Sequence, residues 1–174
     1  MSRKGIFFKG LSVILPLLYS INLHAQDSLK YSHFYWAALG IGNSITSTVP
    51  NYSGINGGIS VAFPYKRLSL QIDGSLTSPN TSSSLYSNSS VSLNIGKVFI
   101  GKHFWTGGYI GPAFIFGNKS DGTPYETVGL NIDIPLMLRI GANFSIGAVG
   151  FTNYGIGYNA TGVRLSLVVG GDIL

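Results

Sequence analysis

Short runs in which apolar and polar residues alternate with a period of two recur along this chain, and they constrain its fold more than any other feature. In Arg67–Leu76, Leu68, Leu70, Ile72 and Leu76 fall on one side, and Ser69, Gln71, Asp73 and Ser75 on the other. Val128–Arg139 sets Leu130, Ile132, Ile134, Leu136 and Leu138 against Asn131, Asp133 and Arg139. Thr161–Val169 sets Val163, Leu165, Leu167 and Val169 against Arg164 and Ser166. A side-chain period of two belongs to β-strands, whose successive side chains point to opposite faces. Beyond the first 25 residues no segment carries the period of an amphipathic helix. The runs predict eight strands, near 33–42, 55–63, 67–76, 90–100, 103–116, 125–138, 143–152 and 159–172.

The connections between these runs alternate in length. Polar segments at 43–54, 77–89, 117–124 and 153–158 are separated by tight turns near 64–66, 101–102 and 140–142. Long loop, short turn, long loop is the rhythm of an up-and-down barrel that crosses a membrane, with long outer loops and short periplasmic turns.

Composition decides which face is wet. Only 10% of the residues are charged, against about 25% in a typical soluble domain. The polar faces carry Ser, Asn, Gly and Gln where a solvated sheet would carry Lys and Glu. That suits a crowded barrel interior, with the apolar face turned outward to lipid. The 24 glycines fit strong curvature and close inner packing. Closure removes the exposed edges that would make such a sheet stick to its neighbours. The absence of cysteine excludes a disulfide scaffold and a lipid-modified leader.

Residues 1–25 read as a secretory signal peptide, with Arg3, Lys4 and Lys9 before the apolar stretch Leu11–Leu18 and Ala25 at a plausible cleavage point. Pro16, Ser20 and Asn22 interrupt the stretch, which falls short of the roughly 18 apolar residues of a spanning helix. The expected domains are therefore 1–25, the signal, and 26–174, the barrel. Three of the 11 basic residues lie in the leader and none of the six acids does, so the formal net charge falls from +5 to +2. No basic cluster large enough to neutralise a nucleic-acid backbone survives, which excludes nucleic acid as a partner.

Aromatic residues gather near the two ends of the expected strands. Phe34, Tyr35, Trp36, Phe63, Tyr65, Phe99, Phe104 and Trp105 lie toward the short turns; Phe114, Phe116, Tyr125, Phe151, Tyr154 and Tyr158 lie at the other end. Two such bands read as the girdles of a membrane barrel.

The signal, eight strands and four longer loops together resemble the small eight-stranded outer-membrane β-barrels of Gram-negative bacteria. The segment YETVGLNIDIPLMLRIGANFSIGAVGFTNYGIGYNATGVRLSLVVGG is similar to the C-terminal hairpins of that group. The chain departs from the pattern in its last residues, Gly171-Asp172-Ile173-Leu174, where such barrels commonly finish on an aromatic residue. The resemblance implies an all-β, eight-stranded antiparallel transmembrane barrel in the outer membrane. Its implied surroundings are outer-membrane lipid and lipopolysaccharide, and its implied handlers are periplasmic chaperones and the barrel-assembly machinery.

Candidate chemistry is sparse. His33 and His103 are followed by Phe34-Tyr35 and Phe104-Trp105, so neither forms the His-x-Ser pair of outer-membrane deacylases, and no catalytic residue is expected. No cofactor or metal ligand set is expected either. Gly40-Ile41-Gly42 and Gly155-Ile156-Gly157 lack a third glycine and a following helix, so they make no dinucleotide site. Asp73, Asp133, Arg139 and Arg164 fall on the interior face, where charges must pair, and they predict a structural network in which Arg164 meets Asp73 or Asp133. Lys97 falls on the lipid face, which predicts either a bulge or a side chain reaching to the interface.

The expected function is non-enzymatic: a barrel with a polar-filled lumen that acts structurally or through its outer loops, with Tyr52, Tyr86, Tyr154 and Tyr158 as contacts for a surface glycan or protein ligand. The alternatives are a small-solute channel, a lipid-modifying enzyme and a soluble lipocalin-like binder.

Overall fold

The computed structural model describes residues 34–46, 52–65, 68–79, 87–118 and 122–172. The expected leader, His33 and Tyr86 lie outside the described residues. Eight strands follow in chain order: β1 (Phe34–Thr46), β2 (Tyr52–Tyr65), β3 (Leu68–Pro79), β4 (Asn88–Ile100), β5 (Phe104–Asn118), β6 (Pro124–Arg139), β7 (Phe144–Gly155) and β8 (Tyr158–Asp172). Each pairs antiparallel with its neighbours in sequence, and β1 pairs with β8 from Phe34↔Asp172 to Thr46↔Ala160, which closes the barrel. β1 begins and β8 ends at the end of the barrel where β2–β3, β4–β5 and β6–β7 are joined.

The strands outrun the apolar pattern at the opposite end. Ser44, Thr46, Thr77 and Asn153, which sequence reasoning placed in loops, are ladder residues with buried side chains facing the lumen. The fall in hydropathy marks where the lipid-facing belt stops, and the hydrogen-bonded ladder continues past it. The expected loop at 153–158 is in fact a two-residue turn, Ile156-Gly157, between the paired Gly155 and Tyr158. Gly157 closes it at φ 75°, a conformation that costs glycine no Cβ clash.

Inside and outside are reversed relative to a soluble protein. On β6, Asn131, Asp133, Pro135 and Met137 are buried in the lumen, while Val128, Ile134, Leu136 and Leu138 are at least half exposed on the outer wall. Val128 to Leu138 spans about 25 Å along the barrel axis, taking about 3.3 Å per residue and a tilt of about 40°. That is the height of an outer-membrane hydrocarbon band. A lipocalin-like binder would turn this apolar face inward.

Lys97 resolves its two alternatives plainly. The β4–β5 register runs through Gly96↔Tyr109, Lys97↔Gly108 and Val98↔Gly107 without an inserted residue. There is no bulge, and Lys97 is exposed on the outer wall with its Nζ 5.3 Å from the centre of the Phe99 ring.

The aromatic bands divide by parity. Tyr35, Phe63, Tyr65 and Phe104 point outward at the turn end, joined by Phe144; Phe114, Phe116 and Tyr154 point outward at the other. Phe34, Trp36, Trp105, Phe151 and Tyr158 instead point into the lumen and are buried. Their height along the strand is that of a girdle, but their position in the two-residue period places them inside.

Candidate functional site

The interior is packed in three layers. At the turn end an aromatic base is built from Phe34, Trp36, Trp105 and Tyr109, with Met137 and Val168 beneath them. Trp36 and Trp105 lie 5.5 Å apart between ring centres, and Phe34 meets Trp105 edge-on at 5.4 Å. Every polar tip in this base is satisfied. Trp36 Nε1 donates to Tyr109 Oη (3.0 Å), Tyr109 Oη donates to Ser69 Oγ (3.1 Å), and Trp105 Nε1 donates to Ser145 Oγ (3.1 Å). Burying an indole without such a partner would cost roughly 1–3 kcal/mol.

The middle layer is charged and polar. Arg164, from β8, reaches across the lumen and places Nη2 3.1 Å from Asp73 Oδ1 on β3 and 3.6 Å from Asp133 Oδ1 on β6. All three side chains are 2% exposed or less. The Arg164 guanidinium lies over the Phe151 ring at 4.8 Å. On another side it meets Gly58, where an added Cβ would fall 1.7 Å from Nη1. Glycine here is a packing requirement: any side chain would occupy the guanidinium's place.

Amides and hydroxyls extend the network around the wall. Ser60 Oγ donates to Asp73, and Gln71 Nε2 donates to Asp133 Oδ2 (3.1 Å). Asn94 Nδ2 donates to Gln71 Oε1 (2.8 Å) and to Asn131 Oδ1 (2.7 Å); Asn131 Nδ2 donates to Asn153 Oδ1 (2.8 Å), and Asn153 Nδ2 donates to Ser90 Oγ (3.1 Å). The bonds join residues of β2, β3, β4, β6, β7 and β8. Several of these strands are not neighbours in the sheet, so the network cross-braces the barrel through its interior.

The third layer caps the lumen at the other end. Tyr158 and Tyr125 meet at a tilt with ring centres 6.2 Å apart, Tyr125 Oη donates to Asn88 Oδ1, and Ala113, Ile115 and Ala160 pack beside them.

The residues singled out by sequence separate accordingly. Asp73, Asp133 and Arg164 are brought together. Arg139 is not: it shares their parity but ends β6, half-buried at the turn end, where its backbone N donates to His103 O (2.8 Å). Six residues separate it from Asp133, about 20 Å along the strand at about 3.3 Å per residue. Among the tyrosines, Tyr52 begins β2 and is paired with Thr46. Tyr154 is exposed on the outer wall. Tyr158 is a lumen residue, 4% exposed, and is corrected from loop contact to cap because β8 starts at it. Gln71, Asn94, Asn131 and Asn153, which carry most of the network, were not singled out, although each sits two residues or a multiple of two from a neighbour of the same face. A neutral amide gives less signal in a sequence than a buried charge does.

A closed, filled, antiparallel eight-stranded barrel with a polar interior and an apolar belt has the architecture of the small outer-membrane barrels. Solved structures agree in fold. Neisserial surface protein A superposes with a TM-score of 0.61 at 14% identity, covering 79% of this chain and 97% of that one. Ail, the attachment invasion locus protein of Yersinia pestis, gives 0.59 at 12% identity, covering 80% and 99%. The N-terminal β-barrel domain of Pseudomonas aeruginosa OprF gives 0.57 at 14%, covering 80% and 98%. No family model matches the sequence, and no curated protein does.

Proposed function

We propose that this chain is an integral outer-membrane protein that catalyses no reaction. Its barrel serves as a braced, plugged anchor, and binding takes place on the extracellular rim, at the segments that join β1 to β2, β3 to β4 and β5 to β6. The observation that carries this reading is the filled lumen. Among the described residues, aromatic base, charged middle and tyrosine cap occupy the space that a bore for solutes or an interior cleft for a substrate would need. What such a barrel can offer a partner is its surface.

The chemistry of the rim narrows the ligand. Residues 43–54 and 77–89 contain no charged side chain and are rich in Ser, Thr and Asn, with Tyr52 and Tyr86 among them. Hydroxyls, amides and tyrosine rings hold uncharged sugars by hydrogen bonding and stacking. Ail of Yersinia pestis has been solved in complex with the heparin analogue sucrose octasulfate. A sulfated ligand calls for Lys and Arg, which these two segments lack, so a neutral surface glycan is the preferred partner, with an uncharged protein face second.

Purified protein in detergent should bind a subset of neutral glycans on an array, and Tyr86→Ala should lower that binding at least fivefold. Binding that Tyr86→Ala and deletion within 80–86 leave unchanged would remove the loops from the mechanism. Steady conductance in a planar bilayer would replace this reading with a channel. Altered lipid A masses on overexpression would replace it with an enzyme.

A further inference from the structure

The geometry points to a binding site for an anionic phospholipid on the outer wall of the barrel, at the turn end of β4, β5 and β6. Lys97 is the one cation on the lipid-facing wall among the described residues. The unbroken register holds it outward, and its ammonium leans over Phe99, toward the turn. Five residues on, Lys102 and His103 are exposed in the β4–β5 turn.

Among the described residues, the only ion pairs are those of Arg164. Asp73 and Asp133 are sealed in the lumen, and Glu126 lies at the far end of β6. The two residues joining β2 to β3 are also basic, Lys66 and Arg67, whereas the segment joining β5 to β6 carries Lys119 and Asp121 in balance. Positive charge thus outweighs negative at the turn end, and the Lys97 ammonium leans toward that end from within the apolar belt. A phosphate is the anion that cations at an interface can share, and charge-assisted bonds to it are the stronger kind.

The wall beside Lys97 has room for the rest of a lipid. Gly108, paired across from Lys97, faces outward, and a Cβ built there would meet nothing within 4 Å. Farther up the same wall is a depression of about 380 Å³ lined by Ile72, Leu93, Pro112, Phe114 and Val128. Leu93 is four residues from Lys97, about 13 Å at about 3.3 Å per residue, within the reach of one acyl chain. The headgroup would rest on Lys97 and Lys102, with a chain running past Gly108 into the depression. This inference shares only the membrane location with the preceding reading; heat-modifiable gel mobility tests that location separately.

The test is native mass spectrometry of the protein expressed from its full sequence and extracted in detergent. It would be titrated with phosphatidylglycerol, phosphatidylethanolamine or lipid A. Phosphatidylglycerol should be retained over phosphatidylethanolamine. Lys97→Gln and Lys102→Gln should each weaken its retention by about fivefold, the worth of one basic residue near an anionic membrane surface, while Lys97→Arg keeps it. Equal retention of the two phospholipids would overturn the proposal, as would undiminished phosphatidylglycerol binding by the double variant, or a loss confined to lipid A. Should a variant fail to fold, the wild-type protein still decides. Raising ionic strength must erode the preference for phosphatidylglycerol, and a preference indifferent to salt refutes the site.

Discussion

Replacing Arg164 with methionine tests the internal network most directly. The substitution keeps much of the side-chain volume and removes the only cation, among the described residues, within bonding distance of Asp73 and Asp133. At 3.1 and 3.6 Å, and with an effective dielectric of about 20, each contact is worth about 5 kcal/mol in Coulomb energy. Desolvation of the three groups cancels much of that gain. What the variant suffers is the cost of leaving two carboxylates buried without a counter-ion, roughly 3–5 kcal/mol. The stacking contact with Phe151 at 4.8 Å adds roughly 0.5–2 kcal/mol. Urea unfolding in lipid vesicles, followed by the fluorescence of Trp36 and Trp105 in the base, would report the loss. Neutralising both acids in the same background, as Arg164→Met with Asp73→Asn and Asp133→Asn, should recover most of it, because no buried charge then remains. A single variant as stable as wild type, or a triple variant no more stable than the single, would refute the claim that uncompensated charge is what the network prevents.

Three further outcomes follow from the packing. Gly58→Val should destabilise the barrel by roughly 1–3 kcal/mol through overpacking, and by much less in the Arg164→Met background, since the atom it strikes is Arg164 Nη1; additive losses in a double-mutant cycle would show the two sites to be independent. Trp105→Ala should cost roughly 3–5 kcal/mol by emptying part of the aromatic base, read as a lower urea midpoint in the same assay, and an unchanged midpoint would mean the base is not load-carrying. Leu165→Lys and Ile140→Lys alter residues of almost equal exposure, 69% and 68%, but the first is mid-strand on β8 and the second lies past the end of β6; in vesicles the first should cost roughly 2–4 kcal/mol and the second at most about 1. Equal effects at the two positions would mean that no bilayer surrounds the belt.

Much of this protein is legible along the chain because a strand's period is short and local. Leu68, Leu70 and Ile72 against Ser69, Gln71 and Asp73 establish a two-faced strand with no help from elsewhere, and eight such runs with few charges establish a barrel with a polar inside. The same period, extended to the aromatic residues, would have put Trp36 and Trp105 inside; reading them by height alone put them in a girdle. Pairing across the lumen is not local. Arg164 and Asp73 are 91 residues apart on strands that are not neighbours, and Arg139, with the same parity and charge, is excluded by its height. Only closure decides which heights face one another, because the register accumulated around eight strands brings β8 opposite β3 and β6. The sequence by itself determined the strand faces and the need for charges to pair inside. The tertiary structure decided which charges pair, that aromatic side chains pack into both ends of the lumen, and that Lys97 and Gly108 meet on the outer wall.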